Sequence, residues 1–237
     1  GKKANSMSVS TLAKPTCNHS QVGAGARAGS RTLPVAGIIP FSATDWPGNI
    51  TITIFTQGCP LRCVYCHNPS LQAFGAGSHD FAEALALAVD RRSLIDGVVI
   101  SGGEPTAVPG LADAITAVHE TTGLPVGLHT CGYSPARIGR LLERAESTPD
   151  WVGLDIKALP RHMLEVTGCA ATVSGRVWDS LHLLVDAGVD LQLRTTLWRD
   201  SVISQHLPEL QHLVSEQGFD LVIQQARAAD GSPFQLV

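Results

Sequence analysis

Cys59, Cys63 and Cys66 stand within one short run, Gln57-Gly58-Cys59-Pro60-Leu61-Arg62-Cys63-Val64-Tyr65-Cys66-His67-Asn68-Pro69. Three thiolates at C-x₃-C-x₂-C spacing are soft metal ligands, one short of a closed tetrahedral zinc site. His67 is adjacent to Cys66 and completes such a site only by folding back sharply. A cubane [4Fe–4S] cluster has four irons, each needing a terminal ligand. Three cysteines leave one iron open, and an open metal position is the mark of a catalytic centre rather than a structural one. That iron would be free to take a ligand from a substrate or cofactor. Spacing alone also admits a structural zinc loop, or a cluster completed by a distant cysteine. Cys17, Cys131 and Cys169 are the other thiols, and each reads as an ordinary, isolated one.

Further polar groups recur where they can serve such a centre. Gly102-Gly103-Glu104-Pro105 follows a short apolar run, Val98-Val99-Ile100. Asp155 and Lys157 flank Ile156, so strand alternation puts both on one face. Arg194 lies inside the run Asp190–Leu197. Charged side chains inside a fold need partners, and Arg194 can pair with a ligand carboxylate or with Asp155.

The elements that must position these groups alternate regularly. Strands are expected at 51–56, 98–100, 125–128, 151–156, 190–197 and 219–224. Helices are expected at 79–92, 110–121, 135–145, 178–186 and 203–216. Six β/α units with short connections predict an α/β fold with a parallel sheet under helical cover. The sheet is either open and doubly wound or a partial barrel. In both, chemistry gathers at the carboxyl ends of the strands, where every motif above falls.

Composition narrows the class. The chain has 237 residues, 44% of them apolar, and a net charge of −4, which gives no sign of a nucleic-acid surface. No apolar run approaches the roughly 18 residues of a membrane span, so a soluble protein is expected. The first acidic residue is Asp45, and five basic residues precede it. This basic head, rich in Ser, Ala, Gly and Thr, predicts a disordered extension over residues 1–33 before one domain over 34–237. Clustered rather than dispersed cysteines point to metal ligation in a reducing cytoplasm, not to a disulfide framework.

At the cysteine loop the sequence resembles the radical S-adenosylmethionine superfamily, whose signature is C-x₃-C-x-aromatic-C, with Tyr65 at the aromatic position. More narrowly it resembles glycyl-radical-enzyme activases, in Asp45-Trp46-Pro47-Gly48, Thr56-Gln57-Gly58-Cys59 and Tyr65-Cys66-His67-Asn68. Within them it is similar to anaerobic ribonucleoside-triphosphate reductase activating proteins. Leu154-Asp155-Ile156-Lys157 and Leu193-Arg194-Thr195-Thr196 extend the match, which covers about residues 36–225.

The resemblance implies a partial (β/α)₆ barrel, with a [4Fe–4S] cluster and S-adenosylmethionine as cofactors. Cys59, Cys63 and Cys66 would hold the cluster. Gly102, Gly103, Glu104 and Pro105 would receive the methionine ammonium, with Glu104 offering a carboxylate or orienting the strand end. Tyr65 would stand near the adenine or pack the loop on the barrel, and Asn68 would donate to a cluster sulfur or form an Asn-Pro turn. Lys157 and Arg194 would face the cofactor carboxylate, and Asp155 its ribose hydroxyls or a cation. No side chain is assigned a catalytic role. Asp45, Trp46 and Asn49 would line the entry for a partner's glycine loop. The implied partners are a glycyl-radical enzyme, in particular anaerobic ribonucleotide reductase, and reduced flavodoxin or ferredoxin as electron donor. Activity is expected only without oxygen.

One departure stands out. Where related pyruvate formate-lyase activases have Asp-Thr-Asn-Gly, this chain has His129-Thr130-Cys131-Gly132. An imidazole cannot replace a carboxylate toward a small cation, so no cation site of that kind is expected. His129 is left to bond the cofactor or Asp155, or to be an ordinary strand-end histidine. A radical enzyme with a small-molecule substrate would share the same core, and a non-catalytic iron–sulfur or zinc protein would share the cysteines.

Overall fold

The computed structural model describes Cys17, residues 32–228 and residues 230–235. The expected disorder of residues 1–33 lies outside the described residues, except at Cys17, Thr32 and Leu33. Leu33 is buried in the core at 3% exposure, so the folded domain begins slightly before the expected boundary.

Among the described residues seven strands form one sheet in chain order: β1 (Val35–Ser42), β2 (Thr51–Thr56), β3 (Gly97–Gly102), β4 (Val126–Thr130), β5 (Trp151–Asp155), β6 (Asp190–Leu197) and β7 (Leu221–Gln225). β2 to β7 are parallel. The helices that return the chain are α1 (Phe81–Arg91), α2 (Leu111–Thr122), α3 (Pro135–Leu141), α4 (Met163–Thr167), α5 (Thr172–Asp186), α6 (Val202–Gln205) and α7 (Leu207–Ser215). Sequential parallel neighbours joined by return helices make a partial barrel rather than a doubly wound sheet, whose strand order would reverse. The sheet ends at β1 and β7 and does not close.

Sequence reading missed β1, which pairs antiparallel to β2 with two register irregularities. Gly37 and Pro40 disguise its alternation. α3 stops at Leu141, short of the expected 145, because the Ser147 and Thr148 hydroxyls bond the carbonyls of Leu141 and Arg144. The helix expected over 203–216 divides at His206, just before Pro208, which has no N–H to continue the ladder.

Alternation along the parallel strands separates two environments. Ile52, Ile54, Val98, Ile100, Val126, Leu128, Val152, Leu154 and Leu193 are buried beneath the helices. Their neighbours Thr53, Ser101, His129, Gly153, Asp155, Arg194 and Thr196 share the other face, and the interstrand register stacks them across the concave side.

Candidate active site

The cysteine loop runs straight from β2 and is braced by main chain on three sides. Gly58 N–H bonds the Leu71 carbonyl at 2.8 Å, and Cys59 N–H bonds that of Gln72 at 3.2 Å. Glu104 N–H bonds the Gly58 carbonyl at 2.9 Å. Arg62 N–H bonds Thr167 and Val64 N–H bonds Val166, at 2.8 and 3.0 Å. Arg62 also donates its guanidinium to the Cys59 and Leu61 carbonyls.

Cys59, Cys63 and Cys66 are unbonded to any other cysteine and half-buried. They share a cavity of about 590 Å³ with Ser101, Gly102, Gly103, Glu104, His129, Asp155, Lys157, Arg194 and Thr196. Among the described residues no three His, Cys, Asp or Glu side chains close around a metal ion. Burial pushes the Cys63 thiol up to about 11, and Cys59 higher still, with neighbouring thiols adding to it and Lys157 opposing. Thiolates become stable here only beside a metal's charge. The donor set and its cavity thus fit a [4Fe–4S] cluster.

Gly102 and Gly103 border the cavity and also let two stretches of backbone meet closely. A Cβ on Gly102 would stand 2.0 Å from Thr56 N, and one on Gly103 would stand 2.2 Å from the Gly58 carbonyl oxygen. Gly102 also has φ near 119°, a conformation that only glycine adopts without strain. The space these glycines free is filled by the backbone that enters the cysteine loop. Glu104 is 3% exposed and nearly saturated with donors. Oε1 accepts from Thr106 N–H, the Thr106 hydroxyl and the Thr130 hydroxyl, and Oε2 accepts from Cys131 N–H at 2.9 Å. Its carboxylate stitches the end of β3 to the end of β4. Pro105 opens the 3₁₀ turn that turns the chain away.

In the same cavity Asp155 is shared by two cations. Lys157 Nζ donates to Oδ2 at 3.0 Å and Arg194 Nε donates to Oδ1 at 2.9 Å. These cations hold the Asp155 carboxyl well below the usual carboxylate range, against the opposing effect of burial. Gly153 makes the room, since a Cβ there would meet Arg194 Cζ at 2.6 Å. The trio keeps one positive charge in excess, facing the cavity.

His129 does not bond Asp155. Its Nε2 lies 2.6 Å from the Asp45 main-chain carbonyl and its Nδ1 lies 3.2 Å from Ser101 Oγ. A carbonyl only accepts, so Nε2 carries the proton and Nδ1 accepts from the hydroxyl. Burial and the Arg194 charge lower this histidine to about 4, so it is neutral. Trp46 follows Asp45, stacks on Trp151 at 5.5 Å between ring centroids, and covers Gly97 and Gly127. Those residues lie at or near the amino ends of the strands. Trp46 therefore plugs the barrel floor, opposite the mouth at which it was expected to line an entry.

Tyr65 is 7% exposed and tilts against Trp198, which meets Phe234 edge-on. Lys157 Nζ stands 5.7 Å from its ring centre. The ring thus packs the loop on the barrel while bordering the cavity. Asn68 borders the cavity as well, just before the 3₁₀ turn that Pro69 opens.

Two cysteines taken as ordinary thiols are joined: Cys17 and Cys169 form a disulfide across 152 positions of sequence. Nothing in their spacing signals it, because the tertiary fold alone makes them neighbours. Cys131 is buried and unbonded to any other cysteine. Ser101, Thr106, Thr130 and Trp198 also escaped sequence reading. Ser101 could have been found from strand alternation with Val99, but the threonines acquire a role only through Glu104.

Comparison with known proteins agrees with this geometry. A family model described as the radical SAM superfamily matches residues 53–201. A glycyl-radical enzyme activating enzyme of Methanocaldococcus jannaschii is 28% identical over 68% of this chain and 67% of its own length. The pyruvate formate-lyase-activating enzyme of Streptococcus mutans is 33% identical over 54% of this chain and 52% of its own length. The matches therefore span half to two thirds of these relatives. Among solved structures, native anSMEcpe with bound AdoMet superposes with a TM-score of 0.57 at 17% identity, over 73% of this chain and 50% of that one. Streptococcus suis SuiB also gives 0.57, at 14% identity, over 76% of this chain and 40% of that one. Both likenesses are of fold.

Proposed function

This chain belongs to the radical S-adenosylmethionine superfamily, and on that premise we propose that it is a glycyl-radical-enzyme activase, with Cys59, Cys63 and Cys66 holding a [4Fe–4S] cluster and S-adenosylmethionine bound across the strand ends. Bound there, the cluster would supply the electron for reductive cleavage of S-adenosylmethionine to methionine and a 5′-deoxyadenosyl radical, which would take hydrogen from a glycine of a partner enzyme. The observation that carries this reading is the cavity itself. Three thiols and a carboxylate–lysine–arginine trio with one positive charge in excess line the same cavity of about 590 Å³.

The chain's own residues divide the work. The cysteine loop, braced from Leu71, Gln72, Glu104, Val166 and Thr167, presents the thiols to the cavity. The excess charge of Lys157 and Arg194 receives the methionine carboxylate, and Asp155 keeps both cations pointed inward. Glu104 holds the β3 and β4 ends in place, leaving strand-end main chain to meet the ammonium. Tyr65 closes the loop's flank against Trp198. The floor plug of Trp46 and Trp151 keeps water from entering below, and shelter from water is what a reactive intermediate requires.

The partner must thread its glycine segment in from the mouth, where the strands end. The resemblance to anaerobic ribonucleoside-triphosphate reductase activating proteins, extended by Leu154-Asp155-Ile156-Lys157 and Leu193-Arg194-Thr195-Thr196, supports anaerobic ribonucleotide reductase as that partner, with reduced flavodoxin or ferredoxin as donor in a reducing cytoplasm. No helix among the described residues is long and apolar enough to cross a membrane.

The test is anaerobic reconstitution with iron and sulfide, then electron paramagnetic resonance of the dithionite-reduced protein with and without S-adenosylmethionine. The expected result is a [4Fe–4S]⁺ signal that changes shape when S-adenosylmethionine is added. Mass spectrometry should then find 5′-deoxyadenosine whose formation rises with anaerobic ribonucleotide reductase and not with pyruvate formate-lyase. A signal indifferent to S-adenosylmethionine overturns the cofactor site. Product formation indifferent to any glycyl-radical enzyme overturns the activase assignment.

A further inference from the structure

The Cys17–Cys169 pair lies outside the machinery just described, yet it touches that machinery through four residues. Cys17 N–H bonds the Gly168 carbonyl at 2.7 Å. Immediately upstream, the Thr167 and Val166 carbonyls accept the Arg62 and Val64 N–H groups of the cysteine loop. The Thr167 hydroxyl bonds back to the Met163 carbonyl and accepts from Cys169 N–H. Segment Val166–Cys169 is thus a strut, with the cysteine loop on one edge and Cys17 sulfur-bonded to its end. Cys169 is fully buried, whereas Cys17 is half-buried.

We propose that Cys17 and Cys169 are a redox modification site, a dithiol–disulfide pair whose oxidised form anchors the strut Val166–Cys169 to Cys17 and so stiffens the cysteine loop that the strut holds. In the dithiol state the strut loses its covalent anchor to Cys17. A bond closing so long a loop removes many open conformations of the chain, here at the point where Arg62 and Val64 are held. The clamp does not depend on which partner or substrate the cavity serves.

The chemistry is thiol–disulfide exchange with an oxidised small thiol such as glutathione disulfide. The more accessible Cys17 thiolate attacks a sulfur of the glutathione disulfide, forming a mixed disulfide and releasing one glutathione thiolate. Cys169 then attacks the Cys17 sulfur of the mixed disulfide and releases the second glutathione. Two protein thiols are oxidised, one external disulfide is reduced to two thiols, and the two protons pass to the released thiolates. Reduced glutathione runs the sequence backwards. Buried Cys131 is no competitor, because burial and the Glu104 carboxylate push its thiol well up and it is the thiolate that reacts.

The experiment uses the anaerobically reconstituted holoprotein, equilibrated across a series of reduced-to-oxidised glutathione ratios. Each sample is divided between acid-quenched peptide mapping without reductant and amide hydrogen exchange of peptides spanning Leu61–Tyr65. Iron content is counted throughout. The expected result is a cross-linked peptide joining Cys17 to Cys169 at oxidising ratios, with exchange at Arg62 and Val64 roughly tenfold slower than in the reduced protein, as for amides held by a local opening equilibrium. Cys17→Ser keeps the main-chain bond to Gly168 and should exchange at the fast rate at every ratio. The same variant controls for oxidant attack on Cys59, Cys63 and Cys66. Free thiols at both positions throughout the titration overturn the proposal. So do equal exchange rates in the two states, or a Cys17→Ser variant that still slows on oxidation.

Discussion

His129, near the end of β4, donates its Nε2–H to the main-chain carbonyl of Asp45 across 2.6 Å. That one bond joins the carboxyl-end layer of the barrel to the loop that plugs its floor, and it works only while the imidazole is neutral. Protonation would also give Nδ1 a hydrogen to donate, where it now accepts from Ser101. It would place a cation beside Arg194, with only Asp155 and Asp45 to offset it.

Stability should accordingly fall with acid. The histidine stands at about 4 in the folded chain and near 6.5 when unfolded. The unfolded state therefore gains a proton first, and its advantage grows as pH falls from about 6.5 to about 4. The full contribution lost is about 3 kcal/mol. His129→Gln keeps a donor at the Nε2 position without a titrating ring. Chemical denaturation from pH 7.5 to 4 should show a flatter slope in this variant than in the wild type.

Glu104→Gln replaces a carboxylate that accepts four bonds with an amide whose NH₂ must face a donor. Bonds to charged acceptors are worth about 1.5–3 kcal/mol each, and stranding a buried donor adds its desolvation. A loss of about 3 kcal/mol in urea denaturation is expected, together with poorer cluster loading because the cysteine loop is tied to Glu104 N–H. A variant as stable as wild type would show that the carboxylate serves the ligand alone.

Asp155→Asn leaves Lys157 and Arg194 facing each other with no counter-charge. Removing one partner of a buried pair costs about 3–5 kcal/mol, but Asp155 and Lys157 keep about a fifth of their side-chain surface exposed, so about 2 kcal/mol is expected. Lys157→Met should instead fold and load the cluster while weakening S-adenosylmethionine binding about tenfold, the loss of one charge-assisted contact. Isothermal titration separates the two.

Gly103→Ala drives a methyl group into the Gly58 carbonyl. Backbone cannot yield as a flexible side chain does, so the entry to the cysteine loop must shift. A destabilisation of about 3 kcal/mol and fewer than four irons per chain after reconstitution are expected. Gly139→Ala, where a methyl meets nothing within 4 Å, should stabilise α3 slightly and is the control.

Spacing along the chain carried the chemistry. C-x₃-C-x₂-C limits the metal group by counting ligands, and alternating apolar runs dictate six parallel strands, because both follow from contacts between residues close in sequence. Alternation also put Asp155 and Lys157 on one side, where Arg194 meets them, since a period of two survives any packing. Only the tertiary structure decided what each group bonds. It spent Glu104 on the β4 end and filled the Gly102–Gly103 gap with backbone. It sent Trp46 to the floor rather than the mouth, gave His129 to Asp45, and brought Cys17 onto Cys169. Each of these joins residues distant in sequence, and such partners are chosen by which surfaces the closed barrel presses together, a choice that no local pattern records.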